Sequence, residues 1–470
     1  MGLEQTWQQL SRRMTGPLLR PGHEQFNMLG MPVTNRYQAL YPQAIARCAT
    51  PNDVVHVINF ARRHGLETAV RGAGHSFADH SSTTGLLIET GLMSAVALDG
   101  DLVTIGAGAR LAEIYRELHE HQVTIPAGCG PTVGIGGLAL GGGLGVLGRM
   151  YGLTCDRLTA AQIVLADGAV ITCDDTSDPD LYWALRGAGA GNFGVVTALT
   201  FRTVAEPQAV AFHLSWPDHG GLAALIAWLE WAPKAQDAMA ASLVVRASAD
   251  STVDPQVHLI GACLADERAA SDALTHFGRL AGAAARNRRF AAAPMNEVKA
   301  RLAEVGAEVG DGPSTGVDHS ASDFQFEPFP ASLASALVDA VMTNRIAGQA
   351  RELALTPLGG AYNRVAADAT AFVHRRDQFL LEYTATSDPA QPAATRGSAY
   401  QWLGDVRELL AGHGTGRSYQ NFPDPELADP LHAYYGQNLP RLRDVKRHYD
   451  PDNFFHHRQS IPVGTDKTDS

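Results

Sequence analysis

The sequence predicts an α+β protein of two units, and three observations carry that prediction. Helical and strand periodicities alternate in short elements through the first ~200 residues. After Pro207 the elements lengthen, and strands interleave with helices as in an antiparallel sheet flanked by helices. The third observation is glycine: 47 of the 470 residues, concentrated at 71–74, 106–108, 128–152 and 187–194, where backbone without side chains can turn tightly or approach a large ligand.

Taken in order, Pro51-Asn52-Asp53 opens a helix over VVHVINFARRHG, with Val54, Val55, Ile58, Phe60 and Ala61 near helical spacing and Gly65 as its stop. LETAVRGAGHS is a short strand running into a glycine turn. LLIET and DLVTIGAGAR follow as strands, and ARLAEIYRELHEHQV as an amphipathic helix with Leu111, Ile114, Tyr115 and Leu118 on one face. LTAAQIVLADGAVITCD is a hairpin about Asp167-Gly168. DLYWALRGAG is a short helix, and NFGVVTALTFRTV a long strand. Beyond Pro207, strands AVAFHLSW, SLVVRAS and VHLIGACLA alternate with helices such as GLAALIAWLEWA and ERAASDALTHFGRLAG. RELALTPLGGAY, TAFVHRRD and FLLEYTATS form a later strand group. From about residue 425, LADPLHAYYGQNLPRLRDVKRHYDP is helical up to Asp450-Pro451, because proline disfavours helix in the residue before it.

Composition excludes several functions. The formal charge is -12, from 37 basic and 49 acidic residues, with no extended basic run, so nucleic acid and anionic membrane are not expected partners. Cys48, Cys129, Cys155, Cys173 and Cys263 are odd in number and contain no C-x-x-C pair, so neither a disulfide framework nor a zinc site is encoded locally. MGLEQTWQQLSRRMTG lacks a secretory apolar core, and VGIGGLALGGGLGVLG is shorter than the ~20 apolar residues of a membrane span. A soluble, cytoplasmic protein is the expectation.

Residues 134–139, 143–148 and 189–194 each match G-x-G-x-x-G/A. None follows a strand and opens a helix as a dinucleotide fingerprint must, so context argues against a Rossmann NAD site, which stays the alternative. In RGAGHSF, Arg71 supplies charge, the glycines expose N–H groups and His75 sits at the turn; such a nest can hold a pyrophosphate, and the same residues also make an ordinary tight turn. Cys129, in PAGCGPTVG, reads equally as a small core residue.

Together and in this order, these stretches resemble the berberine bridge enzyme-like group of FAD-linked oxidases, within the vanillyl-alcohol oxidase or PCMH-type FAD-binding superfamily. RGAGHSF is similar to the family's R-x-G-G-H-S loop, with Ala73 in place of a glycine. PTVGIGGLALGGGLGVLGRMYGLTCD is similar to its second FAD loop, RGAGAGNFGVV to its third, and YYGQNLPRLRDVKRHYDPDNFFHHRQSIP to its C-terminal signature. GGAYNRVAADATAFVHR and Tyr419-Gln420-Asn421 match its substrate-domain patterns. The resemblance spans roughly residues 35 to 463.

The resemblance implies an FAD-binding domain of two subdomains from residues 1–206 and 425–470, with residues 207–424 inserted as the substrate domain. It implies an 8α-histidyl bond from His75 to the flavin, and a cofactor-binding loop of Arg71, Gly72, Ala73, Gly74, Ser76 and Phe77. It assigns flavin contacts to Gly128, Gly130, Thr132, Val133, Gly136, Gly137, Gly141, Gly142, Gly145, Tyr151 and Gly152, then to Gly191, Asn192, Gly194 and Val195, and finally to Tyr419, Asn421 and Asn453. Doubly linked members read C-P-T-V-G, whereas here Cys129 stands one residue early and an ungapped match puts Gly130 at the linking position, so a second bond to Cys129 is left open.

The implied reaction takes hydride from an alcohol, sugar hemiacetal or secondary-metabolite C–H to flavin N5, with molecular oxygen reoxidising the flavin to give hydrogen peroxide. Tyr419 is the expected base. Its free pKa of ~10 must fall for that role, and Arg417, two residues away on the same side of a strand, is expected to favour phenolate. Tyr362 and His374 are expected in the pocket wall, with His374 equally readable as a hydrogen-bonded sheet histidine. A dehydrogenase using another acceptor and a non-enzymatic flavin-binding protein are the competing functions. No metal site is expected, and the oligomeric state, monomer or homodimer, stays open.

Overall fold

A computed structural model describes residues 3–33, 40–282, 285–310, 317–388 and 393–464. Local chemistry sets the first elements. The Thr50 hydroxyl accepts the Asp53 N–H and the Asp53 carboxylate accepts the Thr50 N–H, a capping box that starts helix Pro51–His64, and Gly65 ends it at φ 61°. Fully buried Asp53 also accepts from Thr15, Gly16 and Ala49, so one carboxylate holds the segments before and at the helix start together.

Three sheets organise the chain. Strands Leu18–Leu19, Ala44–Arg47, Leu86–Glu89 and Thr68–Arg71 form the first, with parallel pairing between the last three. Strands Val96–Asp99, Leu102–Gly106, Val195–Arg202, Leu158–Val164 and Val170–Cys173 form an antiparallel second sheet, including the expected hairpin about Asp167-Gly168. Strands between Gln208 and Ser387 form a large antiparallel sheet ordered Arg286–Arg289, Gln208–Pro217, Gln256–Cys263, Met239–Ala247, Gln349–Pro357, Phe379–Ser387 and Val317–Gln325. Helices Asp218–Trp231, Glu267–Ala281, Ala331–Met342 and Ala393–Leu410 cover one face of it, burying Trp228, Phe277, Leu337 and Trp402 in a common core. The fold is thus α+β with helices on an antiparallel sheet, as expected.

Helices Pro430–Tyr435 and Leu439–Tyr449 do not join that core. Tyr434, Tyr435, Leu442 and Val445 pack with Phe193, Leu199 and Phe201 against the second sheet. Among the described residues no helix is long and apolar enough to cross a membrane.

One expected strand is absent. TAFVHRRD is irregular, because its polar side chains are committed to three different segments: His374 Nε2 to Tyr434 O, the Arg375 guanidinium to Asp156, and Asp377 to Arg417. Thr370 through Arg375 are all buried, which the two-sided alternation of a half-exposed strand does not allow.

Candidate active site

The RGAGHSF loop begins where strand Thr68–Arg71 ends. Arg71 does not face outward to meet an anion as expected. Only 4% exposed, it donates to the carbonyls of Leu29, Gly30 and Ser81 and to Ser82 Oγ, fixing the turn from behind. Burial lowers its pKa to about 10, opposed by the charge of Glu89. His75 is half-buried, with Nε2 3.0 Å from Thr132 Oγ1 of the second loop. Burial and then the Arg110 cation push its pKa down, which favours neutral imidazole, the form with a nucleophilic ring nitrogen.

The second and third glycine loops hold the Tyr419-Gln420-Asn421 segment. A side chain at Gly141 would place Cβ 2.0 Å from Asn421 Oδ1, so glycine lets that amide lie on the backbone. Asn421 Nδ2 donates to Leu138 O at 3.0 Å and to the Tyr419 hydroxyl oxygen at 2.9 Å, which also accepts the Gly143 N–H at 3.0 Å. Gly187 has φ 130°, and a Cβ there would sit 2.3 Å from Phe372 N. Its carbonyl accepts from Gln420 Nε2 at 2.6 Å. Phe77 of the first loop meets Phe422 edge-on at 5.6 Å, and Phe422 meets Tyr419 at 5.0 Å.

Tyr419 is 2% exposed, and burial raises its pKa against the pull of its two N–H donors. Arg417 takes no part. The 415–419 segment is not a strand, and the Arg417 guanidinium pairs with buried Asp377 and lies 4.0 Å over the Phe326 ring. Tyr362 Oη donates to Gly145 O at 2.7 Å and accepts its N–H at 3.1 Å, bracing the second loop. His374 is the hydrogen-bonded alternative: 1% exposed, stacked 4.0 Å from Phe324 and bonded to Tyr434 O.

The C-terminal signature closes the cradle. Asn192 Nδ2 donates to Ala188 and Ala190 carbonyls while its Oδ1 accepts the Ile461 N–H at 2.9 Å. Fully buried Lys446 donates to Asn192 O, Asp450 Oδ2 and Phe455 O. Gly141, Gly187, Gln420, Asn421, His80 and His457 then line one cavity, with the two imidazoles stacked at 3.8 Å. Gln420 Oε1 and Asn453 Oδ1 are buried acceptors without a hydrogen-bond partner. Crowded glycine backbone, a neutral imidazole and orphaned acceptors fit a large cofactor that carries N–H donors, as FAD does.

Cys129 lies differently. It packs against Leu147, Met295 and Val298, where burial raises its thiol pKa and the Lys299 ammonium opposes that rise. Lys299 Nζ sits 3.5 Å over the Tyr115 ring and donates to Ile125 O. Gly130 stands between this cluster and Thr132, the residue that reaches His75.

Sequence reasoning missed the sheet face beside Tyr419. Phe324 and Leu380 cluster with Tyr419, while Ala321, Leu381 and Tyr383 belong to the helix-covered core, so alternation puts Ser320, Ser322, Glu382 and Thr384 on the Tyr419 side. Ser322 Oγ accepts the Tyr419 N–H at 3.0 Å, and Ser322 is registered opposite Glu382. Glu382 accepts from Ser320 Oγ at 2.9 Å, and burial with the neighbouring Glu352 charge pushes its pKa up to about 7. Glu352 in turn pairs with Arg246 at 2.7 Å. The strand VDHSASDFQ that carries the serines is polar on both faces, which hides it from hydrophobic periodicity.

Residues 42–174 match the family described as FAD binding domain, and residues 418–462 match berberine and berberine like. The FAD-linked oxidoreductase YgaK of Bacillus subtilis is 32% identical over 429 residues, covering 90% of this chain and 91% of YgaK. Chitooligosaccharide oxidase of Gibberella zeae is 29% identical, over 89% of this chain and 87% of that protein. The solved structure of Physcomitrella patens BBE-like 1 superimposes with a TM-score of 0.87 at 26% identity, covering 99% of this chain and 100% of that one. The chain therefore belongs to the berberine bridge enzyme-like FAD-linked oxidoreductases, enzymes of the PCMH-type fold.

Proposed function

We propose that the protein is an oxidase of polyhydroxylated alcohols or sugar hemiacetals, with FAD bound covalently through His75 alone. The observation that carries this reading is the sheet face against which Tyr419 packs: its hydroxyl oxygen is held by Gly143 and Asn421, its backbone N–H donates to Ser322 Oγ, and Ser320, Thr384 and the near-neutral carboxyl of Glu382 share the face of Ser322. Such a face offers hydrogen bonds to several substrate hydroxyls. The similarity to chitooligosaccharide oxidase supports the same class.

FAD held by the glycine loops and by His75 would supply the two-electron acceptor for hydride from the substrate C–H, with molecular oxygen as the final oxidant and hydrogen peroxide as its product. Tyr419, kept protonated by burial and without help from Arg417, orients the substrate oxygen. Glu382 accepts the hydroxyl proton as the C–H bond gives up hydride, leaving a carbonyl. Arg71 positions the first loop, Tyr362 the second, and Asn192 with Lys446 the third. Single linkage is supported by Gly130 at the family's linking position and by Cys129 packing with Lys299 and Tyr115. The FAD-binding domain comprises residues 1–206 and 425–470 around a substrate domain of 207–424, a division supported by sheet membership on either side of Gln208 and by the packing of Leu442 and Val445.

A peroxide-coupled screen of sugars and alcohols tests the activity, and whole-protein mass spectrometry with peptide mapping tests the linkage. The expected results are peroxide release with a saccharide or polyol and one FAD on the His75 peptide. Flavin that reduces with substrate but reoxidises in air only over minutes makes the protein a dehydrogenase and sinks the oxidase reading.

A further inference from the structure

The segment that carries Tyr419 also shields the open edge of the large sheet, but only in part. Strand Val317–Gln325 is the last in its sheet, and residues 417–419 run beside it: Phe324 N–H donates to Arg417 O at 2.9 Å, and Tyr419 N–H to Ser322 Oγ. Past Ser322 the segment leaves the edge. Asp424 is drawn toward the C-terminal signature instead, donating its N–H to Tyr434 Oη and accepting from Gln459 Nε2 at its carbonyl. The gap left at His319 and Ser320 is roofed by helix Ala393–Leu410 and forms a cavity of about 390 Å³. That falls within the roughly 300–1,000 Å³ of small-molecule sites.

Its walls have a definite chemistry. Tyr400 is 39% exposed, with its ring centroid 4.2 Å from that of His319, giving an aromatic platform. Opposite it, Arg407 pairs with Asp424, whose other carboxylate oxygen accepts the Glu426 N–H at 2.9 Å. Glu426 is exposed, and two carboxylates against one guanidinium make the lining unfavourable for an anion. An apolar ring face beside planar polar groups matches a pyranose, which presents C–H groups on its faces and hydroxyls around its rim.

We propose that this cavity is a second ligand site that takes a neutral glycosyl unit, its ring against Tyr400 and its hydroxyls shared among Glu426, Asp424 and Arg407. The unit has two sources: the outer residue of a longer chain whose end is oxidised beside Tyr419, or a separate saccharide. Only the first source rests on the carbohydrate-oxidase reading. In both, the ligand touches the segment that carries Tyr419, five residues from it.

Calorimetric titration of the FAD-loaded enzyme with methyl β-D-glucopyranoside, which has no free hemiacetal, is the direct test, read alongside flavin absorption. The expected result is binding without a change in the flavin bands, weakened at least tenfold by Tyr400→Ala and by the milder Glu426→Gln. Turnover of cellotetraose separates the sources: a tenfold higher KM at unchanged kcat in Tyr400→Ala indicates one chain spanning both sites, and an unchanged KM indicates a separate ligand. No binding of either saccharide, binding indifferent to both substitutions, or binding that always shifts the flavin bands overturns the proposal. If the glucoside binds at the cavity but no saccharide reduces the flavin, the site stands and the carbohydrate-oxidase reading fails.

Discussion

In the cofactor cradle the closest approaches are made by backbone, whereas on the sheet opposite they are made by side chains. Gly141 and Gly187 touch Asn421 and Phe372 at distances that no Cβ permits. The sheet brings Ser320 and Ser322 of one strand beside Glu382 of the next through register, with Tyr419 N–H joining them from a third segment. A cradle of backbone tolerates almost no change in residue type at its contact points. A face of side chains keeps its shape while its chemistry varies, and on the proposed reading the first region would set cofactor identity and the second substrate choice.

The strongest way to break that division is at Glu382. Glu382→Gln is expected to lower kcat/KM by about 10²–10⁴-fold while FAD stays bound. Because its carboxyl titrates near 7 and acts when ionised, the wild-type rate should rise with pH through about 7, and the glutamine variant should lose that limb. A limb near 7 that survives in Glu382→Gln would take the base role away from Glu382.

Tyr419→Phe removes an oriented hydroxyl and leaves the Gly143 N–H and Asn421 amide without their acceptor. A loss of about 10–10²-fold in kcat/KM is expected, of the size of about 1.5–3 kcal/mol for lost hydrogen bonds at a reacting oxygen. Steady-state kinetics beside the flavin spectrum separate this from cofactor loss.

A matched pair of glycines compares the regions in one measurement. Gly187→Ala puts Cβ against Phe372 N at a left-handed φ and should cost roughly 1–3 kcal/mol, lowering both Tm and FAD content. Gly278→Ala, in helix Glu267–Ala281 with open space around the site, should instead stabilise by about 0.4–1 kcal/mol. Thermal melts that rank the two the other way would remove the contrast.

The smallest effect is expected from Cys129→Ala, with the covalent FAD content by mass unchanged and a modest loss of stability from its packing against Leu147 and Met295. A wild-type peptide map with FAD joined to both the His75 and the Cys129 peptides would place a second bond at this thiol.

The same contrast explains what the sequence made legible. Glycine loops, the helix stop at Gly65 and the Asp167-Gly168 hairpin announce themselves because their residue types are dictated by backbone geometry. Strands Met239–Ala247 and Phe379–Ser387 are equally plain, since a buried apolar face alternates with a polar one. Strand Val317–Gln325 has no such stripe, and nothing in FLLEYTATS marks Glu382, which only register places opposite Ser322. Arg71 and Arg417 misled for a related reason. A guanidinium reads as a charge for a ligand, but each has protein partners that lie far away in sequence, at Leu29 and Asp377.

Lys446 bonds Asn192, Asp450 and Phe455, and Ile461 bonds Asn192. The two contacts to Asn192 join residues 254 and 269 positions apart, so a ribosome has made both sheets of the cradle and the whole substrate sheet before the clasp exists. Until residues 446–461 emerge, the third loop has no outer wall. Completion of the third loop is therefore a late event in the life of each molecule, and a chain cut short before Lys446 would carry every glycine loop without the contacts that hold Asn192.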